Sequence, residues 1–398
     1  MAGTVKLGSL CASRGRRLFV HDLCRGSLAQ IAAIVVLTFA APWLMSCTAD
    51  TGPEPPPGAR VLNIYNWSDY IAPDTIRNFE REYGIKVNYD VYDSAEVVDA
   101  KLLAGSSGYD VVFHDHQFVA RLAPLGLFQK MDYSRFENLH HLDPEILEKT
   151  SLYKEVEGYS VPYMWGSTGY AYNAEMVRER LPDLEMDSAN VLFDPEVISR
   201  LADCGVSLLD SPTDIFPMVL AYLGRDPNAV DEENVAAAEA QLHLIRPYVR
   251  YFNSTKMISD LPNREVCVAM SWSGDYAQAR MRAEEAGIDI DLRYTMPKEG
   301  SRLWVDGMFI TADAPHTGNA YLFIDYIMRP EVTAAISNYI FYANANKSAR
   351  SFLDPEVLNN PGIYPDEASW ELLFPVLPVQ PKLERLRTRA MARVKSGI

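Results

Sequence analysis

Residues 61–93, "VLNIYNWSDYIAPDTIRNFEREYGIKVNYDVYD", contain the clearest fold signal in the chain. The opening run, "VLNIYNW", is mostly apolar and predicts a buried strand. Pro73 suits the first turn of a helix, apolar residues then recur at helical spacing, and Gly84 marks the end of that helix. "IKVNYDVYD" predicts a second strand. Strand, helix and strand in this order predict parallel strands joined by a crossover helix.

The same alternation continues beyond residue 93. "SAEVVDAKLLAGSSG" predicts a capped helix that Gly105 closes, and "YDVVF" predicts a third strand. Two extended pieces at residues 159–173 then lead into a region of helices and short strands. Strands in "IDIDLRYTMPKEG" and "LWVDGMFITAD" are expected to return to the first sheet. We therefore predict an α/β fold whose chain passes at least twice between two domains and leaves a cleft between them.

The composition is that of an ordinary globular protein with room for two domains or one large one. The chain has 398 residues, of which 48% are hydrophobic and 23% charged. Its formal net charge of -16 argues against nucleic acid as a partner. The acidity fits a cationic ligand, although many solvated protein surfaces are equally acidic.

Residues 1–46 are typical of a signal peptide. Basic residues extend to Arg25, an apolar run occupies residues 31–44, and "LMSC" ends at Cys47. "LMSC" resembles a lipobox, in which the cysteine is lipidated and becomes the mature N-terminus; ordinary cleavage nearby is the alternative. Residues 47–60 are rich in Pro and Gly and predict a flexible tether. The mature chain is therefore expected in the periplasm, where lipidation of Cys47 would anchor it to the membrane and ordinary cleavage would leave it free.

Export places the mature chain in an oxidising compartment, which affects its cysteines. Besides Cys47, the mature chain contains Cys204 and Cys267. A disulfide between these two is one interpretation, and two separate buried thiols are the other.

Polar and aromatic residues gather where the predicted strands end, which is where ligands bind in open α/β sheets. An ammonium group only donates hydrogen bonds, so its site needs carboxylates as charge partners and hydroxyls as further acceptors. The flat faces of Trp and Tyr suit a methylene chain and attract cations. This combination indicates a linear di- or polyamine. The candidate residues are Trp67, Ser68, Asp69, Tyr70, Asp115, Trp272, Asp275, Trp304, Asp306 and Tyr342.

Each candidate also has a purely structural interpretation. A lone Trp67 or Trp272 is more often part of a core, because buried tryptophan is common. Asp69 and Asp275 are placed where they could cap helices, and Asp306 where it could open a turn.

Other chemistries have less support in the sequence. "HDH" at residues 114–116 offers metal ligands, but no second His or Cys cluster completes a site, so we predict no metal. The sequence contains no phosphate-binding P-loop, no nucleophile elbow and no convincing Ser/His/Asp order. A carboxylate pair of the glycosidase type is the remaining enzymatic alternative.

Longer motifs point to a known family. These are "IYNWSDYIAPDT", "GIKVNYDVYDS", "AYLGRDPN", "RPYVRYF", "MPKEG", "RPEV", "FYANANK", "NPGIYP" and "RVKSG". From about Val61 to its C-terminus, the chain resembles the putrescine-binding periplasmic proteins of bacterial polyamine ABC importers, and less closely their spermidine-binding relatives. The resemblance implies the type II periplasmic binding protein fold, with two lobes that are each a mixed sheet flanked by helices. The implied lobes are residues 61–164 with 304–345, and residues 165–303 with 346–398.

The resemblance also implies roles for individual residues. The ligand is expected in the cleft between the lobes. Its implied contacts are Trp67 and Tyr70 on one side, Trp272 and Trp304 on the other, Ser68 and Asp69 at one amine, Asp275 and Asp306 as holders of ammonium charge, and Tyr342 as a further wall. Cys204 and Cys267 match the disulfide pair of the family.

Two candidate ligand residues depart from the family pattern. Asp115 stands where the family has Ser, and Asp214 stands where putrescine binders have Glu. Asp115 adds a carboxylate to the pocket, and an unpaired buried charge is costly. We therefore expect a ligand with more positive charge than putrescine or a different length, unless His114 or His116 neutralises Asp115.

These observations predict an extracytoplasmic solute-binding protein that captures a polyamine, closes by hinge bending and delivers its ligand to an ABC permease and its ATPase. Putrescine, spermidine, cadaverine and agmatine are the candidate ligands. The protein is expected to be a monomer that needs no cofactor and catalyses no reaction. A polyamine sensor without transport is the alternative.

Overall fold

The computed structural model describes residues 60–397. The predicted signal peptide, Cys47 and all but the last residue of the predicted tether lie outside these residues. The strands are β1 (Val61–Trp67), β2 (Lys86–Tyr92), β3 (Val111–Asp115), β4 (Ser160–Asn173), β5 (Val206–Leu208), β6 (Val249–Phe252), β7 (Val268–Trp272), β8 (Leu292–Thr295), β9 (Ser301–Ile310), β10 (Ala343–Asn344) and β11 (Leu373–Pro375).

Helices connect these strands. They are α1 (Pro73–Tyr83), α2 (Ala95–Leu103), α3 (His116–Leu122), α4 (Pro144–Thr150), α5 (Ala174–Arg180), α6 (Asn190–Phe193), α7 (Pro195–Ser199), α8 (Pro212–Tyr222), α9 (Glu232–Ile245), α10 (Met257–Asp260), α11 (Ser273–Glu285), α12 (Thr317–Ile327), α13 (Pro330–Ile340), α14 (Pro355–Leu358), α15 (Glu367–Trp370) and α16 (Pro381–Ser396). Among residues 60–397, no helix combines the length and the apolar character needed to cross a bilayer.

The strands form one mixed sheet in the order β2-β1-β3-β9-β4-β7-β5-β6, with β8 and β10 paired to β4 and β11 paired to β9. The pairs β1–β2, β1–β3, β5–β6 and β5–β7 are parallel. The long strands β4 and β9 lie in the middle and run antiparallel to each other. They join the two groups of parallel strands, so the centre of the sheet is where side chains from both groups meet.

The local signals around α1 act as predicted. Pro73 occupies the first turn, and Gly84 ends the helix with φ 64, a left-handed conformation that glycine adopts without steric cost. Thr75 and Phe79 are buried on the inner face. The helix therefore packs against the sheet and directs the chain from β1 to β2, as the strand–helix–strand pattern requires.

Separate hydrophobic cores lie on either side of the central strands. One core includes Ile64, Phe113 and Phe323 around β1, β3 and α12. Another includes Phe216 and Leu242 from α8 and α9. A third lies against β4, β7 and β9. Each group of parallel strands thus has its own packed interior.

A disulfide joins Cys204 and Cys267, whose Cα atoms are 5.5 Å apart. It links the segment before β5 to the residue before β7, and the two cysteines are 63 residues apart in the sequence. The predicted disulfide is confirmed, and the alternative of two separate thiols is wrong.

Candidate ligand-binding site

Strand β9 carries the centre of the candidate site. All of its residues are buried, and side chains along a strand alternate between two faces. Arg302, Trp304 and Asp306 therefore share one face. The register places Asp306 opposite Asp115 of β3, and Arg302 opposite Thr168 of β4. A guanidinium, an indole and a carboxylate thus follow one another along a strand at the middle of the sheet.

Asp306 is a buried carboxylate, and no basic side chain of residues 60–397 lies within ion-pair distance of it. Burial raises the pKa of Asp306 well above its usual range, and the charge of Asp115 raises it further. The neighbouring Tyr70 hydroxyl and Arg302 counteract this rise only in part. A cation that enters beside Asp306 would therefore meet a carboxylate that has no ion-pair partner among residues 60–397.

Asp275 is a second buried carboxylate in a similar environment. It lies in the first turn of α11 and accepts a hydrogen bond of 2.7 Å from the Tyr342 hydroxyl. Burial raises the pKa of Asp275 to about 7, although the Tyr342 hydrogen bond and the charge of Arg282 act in the opposite direction. Gly274 makes the contact possible, because a Cβ atom there would collide with the Tyr342 ring.

Aromatic rings connect the two carboxylates. The Trp304 and Tyr342 ring centroids are 5.2 Å apart, and those of Tyr342 and Tyr70 are 5.5 Å apart, both edge to face. Tyr342 binds Asp275, and Tyr70 lies next to Asp306. The structure therefore brings five predicted site residues into one cluster, with a carboxylate at each end and rings between.

The remaining residues of the first cluster lie farther out. Trp67, at the end of β1, is partly buried with its ring centroid 4.4 Å from that of Tyr92. Ser68 donates a hydrogen bond of 2.5 Å to Asp93, and Asp69 is exposed with φ 53. Ser68 and Asp69 thus lie at the solvent-facing edge, where the strand ends.

Arg302 binds Asp115 and Asp214 at the same time. Its Nη2 donates to Asp115 Oδ2 at 2.6 Å, and its Nη1 donates to Asp214 Oδ1 at 2.7 Å. Arg302 is 4% exposed. We refer to these three residues as the Arg302 triad. Both positions that depart from the family pattern are therefore joined through one buried guanidinium.

The triad corrects our expectation about Asp115. Neither neighbouring histidine pairs with it. His114 lies 3.0 Å from Asp99, while His116 contacts the Val305 carbonyl oxygen at 2.8 Å. The alternative that His114 or His116 neutralises Asp115 is wrong, because Arg302 of β9 pairs with Asp115 instead.

Arg302 was not among the predicted site residues. The available signal was its position two residues before Trp304 and four before Asp306, which puts all three on one face if the strand begins early enough. We predicted that strand to begin at Leu303, so the arginine appeared to lie outside it. The strand begins at Ser301.

The histidines of "HDH" do not converge. His114 is the penultimate residue of β3, and His116 is the first residue of α3, so the two rings point to different neighbours. Within the described part of the chain, no group of three or more His, Cys, Asp or Glu side chains is arranged to hold a metal ion.

The alternative structural roles of three aspartates are wrong. Helix α1 follows Ala72 without a side-chain cap, so Asp69 does not cap it. Helix α11 also lacks a side-chain cap, so Asp275 is not a capping residue. Asp306 lies within β9 and not in a turn. Capping a helix or opening a turn therefore does not explain any of these three carboxylates.

Replacing Asp275 with Asn is expected to stabilise the ligand-free protein at pH 8 by about 1 to 2 kcal/mol. In the unfolded chain the carboxyl group ionises near its usual pKa, whereas in the folded chain its pKa is raised to about 7. Asp275 thus destabilises the fold increasingly as the pH rises from 4 to 7. Asn keeps an acceptor for Tyr342 and removes the charge.

Urea unfolding at pH 4.5 and pH 8 tests this expectation. The free energy of unfolding of the Asn variant should exceed that of the unchanged protein mainly at pH 8. Asp183→Asn, at an exposed position, serves as the matched control and should leave stability unchanged at both pH values. A variant that is less stable than the unchanged protein at pH 8 would contradict the raised pKa.

Known proteins resemble this chain over most of its length. The model of the bacterial extracellular solute-binding protein family matches residues 74–365. The putrescine-binding periplasmic protein of Escherichia coli K12 is 44% identical over 340 residues, which cover 85% of this chain and 92% of that protein. A putrescine-binding periplasmic protein of Pseudomonas aeruginosa UCBPP-PA14 is 44% identical over 341 residues, with the same two coverages.

Solved structures agree with the sequence relatives. The spermidine/putrescine ABC transporter substrate-binding protein from Streptococcus pneumoniae superposes with a TM-score of 0.72 at 25% identity. The match covers 85% of this chain and 99% of that one. The predicted type II periplasmic binding protein fold is confirmed, and so is the prediction that the chain is not an enzyme, because the family consists of substrate-binding proteins. The chain belongs to the family of bacterial extracellular solute-binding proteins.

Proposed function

We propose that this protein binds an aliphatic diamine, with putrescine as the first candidate, in the cluster of Asp275, Asp306, Trp304, Tyr342 and Tyr70. The main support is the environment of the two carboxylates. Two buried carboxylates have raised pKa values, no basic partner within ion-pair distance among residues 60–397, and aromatic rings between them. Two ammonium groups joined by a methylene chain supply the two missing charges and the apolar body that this arrangement requires.

Trp67 and Trp272 extend the aromatic lining in this proposal. Trp67 contacts the core around β1, and Trp272 packs against the cores on both sides of the central strands. Ser68 and Asp69 form the outer edge, so we assign them a smaller share of the binding energy than the buried carboxylates. Exposed charges are screened by water and salt.

Closure of two lobes encloses the ligand. We assign residues 61–164 and 304–345 to one lobe, and residues 165–303 and 346–398 to the other. The separate cores on either side of the central strands support this division. The chain then crosses between the lobes at three places, within β4, within β9 and just after β10, and we assign the hinge to these crossings.

We propose that the protein delivers its ligand to an ABC permease and its ATPase, and that it acts in the periplasm as a monomer. The relatives described above are periplasmic proteins. We also propose that Cys47 carries a lipid, on the basis of the "LMSC" sequence. Incorporation of labelled palmitate into the protein, and its loss in Cys47→Ser, tests the anchor; equal labelling of both would overturn it.

Calorimetric titration of residues 61–398 with putrescine, cadaverine, agmatine, spermidine and spermine tests the proposed function. We expect one diamine to bind with a 1:1 stoichiometry, and putrescine to bind more tightly than spermine. Absence of binding across the five amines would overturn the proposal. Uptake of labelled putrescine by cells that carry the protein with its permease, compared with cells lacking the protein, separates transport from sensing.

A further inference from the structure

The Arg302 triad already satisfies the carboxylate of Asp115. Its Oδ1 accepts the backbone N–H of Gln117 at 2.7 Å, and its Oδ2 accepts Arg302 Nη2. Both oxygens thus have a donor from the protein. An ammonium group that bound Asp115 would have to displace one of these hydrogen bonds inside a buried site, where lost hydrogen bonds are costly.

The second carboxylate of the triad is even more completely occupied. Asp214 Oδ1 accepts Thr168 Oγ1 at 2.6 Å, Arg302 Nη1 at 2.7 Å and Trp272 Nε1 at 3.3 Å, while its Oδ2 accepts Ser211 Oγ at 2.6 Å. Burial alone raises the pKa of Asp214, but the charge of Arg302 and these hydrogen bonds outweigh burial and lower it. Asp214 is therefore a charged group held by protein donors.

The triad directly adjoins the proposed diamine site. Arg302 and Asp306 lie on the same face of β9, with Trp304 between them. Asp115 lies opposite Asp306 in the register of β3 and β9. Trp272, which we place in the ligand lining, donates to Asp214. The guanidinium therefore lies at the edge of the proposed site, bonded to the residue that faces Asp306 across the two strands.

We propose that Arg302 is a specificity-determining residue that acts as a built-in cation and limits the ligand to two charged groups. The inference rests on the proposed function and names the class of ligand within it. The triad binds its own positive charge, so Asp115 and Asp214 are not available to an ammonium group. We therefore exclude both from the set of direct ligand residues and expect a diamine to be preferred over a triamine.

A third ammonium group at this end of the site would lose its hydration shell without gaining a free carboxylate in exchange. Asp115 and Asp214 flank a single guanidinium, so the cost arises from the missing partner and not from repulsion. A diamine avoids this cost because Asp275 and Asp306 match its two charges. The guanidinium stays protonated, because arginine does not lose its proton in proteins.

Titrations with putrescine and spermidine test the proposal on three proteins. These are the unchanged chain, Arg302→Gln, and a neutral control that combines Asp115→Asn, Arg302→Gln and Asp214→Asn. The readout is the spermidine Kd divided by the putrescine Kd. We expect a ratio of about 10 or more for the unchanged chain and a drop of at least about tenfold for Arg302→Gln, which frees two carboxylates. The neutral control should stay within about threefold of the unchanged chain.

Circular dichroism checks that each variant folds. If Arg302→Gln does not fold, the pair Asp115→Asn and Arg302→Gln replaces it, because Asp214 keeps its donors Thr168 and Ser211. This pair should lower the ratio by about threefold or more. The inference would be overturned if the unchanged chain bound spermidine at least as tightly as putrescine. It would also be overturned if the ratio of the two Kd values were the same in the unchanged chain and in the variants that free a carboxylate. Failure of the proposed function looks different, since then neither amine binds the unchanged chain.

Discussion

Replacing Asp306 with Asn is expected to weaken putrescine binding by about 100-fold or more. Asp306 is buried beside Tyr70, and no basic side chain of residues 60–397 lies within ion-pair distance. In the complex an ammonium group would be its charge partner. The Asn side chain keeps the size and can still accept a hydrogen bond, but it leaves a buried ammonium without a compensating charge, which typically costs about 2 to 5 kcal/mol.

Calorimetry at pH 8 measures this loss. Asp183→Asn, at an exposed position, is the matched control and should leave the Kd unchanged. Asp69→Asn provides an internal comparison, and we expect a loss of about tenfold or less because Asp69 faces solvent. A variant of Asp306 that binds putrescine as tightly as the control would contradict the site assignment.

Putrescine affinity is expected to fall about 30-fold between pH 8 and pH 5.5. The pKa of Asp275 is raised to about 7, mainly by burial, so below pH 7 the free protein carries mostly the neutral acid. An ammonium group binds the charged form, and the proton must leave first. The pKa of Asp306 is also raised well above its usual range, so its proton adds to this dependence. The amine resembles lysine in pKa and stays charged throughout.

Titrations at pH 5.5, 6.5 and 8 measure the slope, and repeating them in two buffers of different ionisation enthalpy counts the protons released. The Asp275→Asn variant should lose part of the pH dependence, because it no longer has to release that proton. Affinity that is constant over this range, or that rises toward acid pH, would contradict the raised pKa values as a feature of the binding site.

Much of the fold was predictable because its signals are local. Pro73 and Gly84 mark the ends of α1, and the apolar run before them forms β1. The carboxyl ends of strands attract ligand-binding residues in such sheets, which led sequence reasoning to Asp275 and Asp306. Their gathering with Tyr342 in one buried cluster agrees with that expectation, while their contact with a ligand stays a prediction.

The Arg302 triad was not predictable from local patterns. It depends on residues from β3, α8 and β9, which become neighbours only through the strand order of the sheet. Sequence spacing does not encode that order. Asp115 therefore appeared as an unpaired charge in the pocket, whereas the fold supplies it with a guanidinium at 2.6 Å. The expectation of a more highly charged ligand rested on that missing partner.

A crystal structure of residues 61–398 grown with putrescine would show directly where the diamine binds. We expect one ammonium nitrogen within about 3 Å of Asp306 and the other within about 3 Å of Asp275, with Trp304 and Tyr342 against the methylene chain. We also expect Arg302 to remain bound to Asp115 and Asp214. Putrescine found outside this cluster, or an ammonium group bound to Asp115 or Asp214 in place of Arg302, would overturn the proposed site.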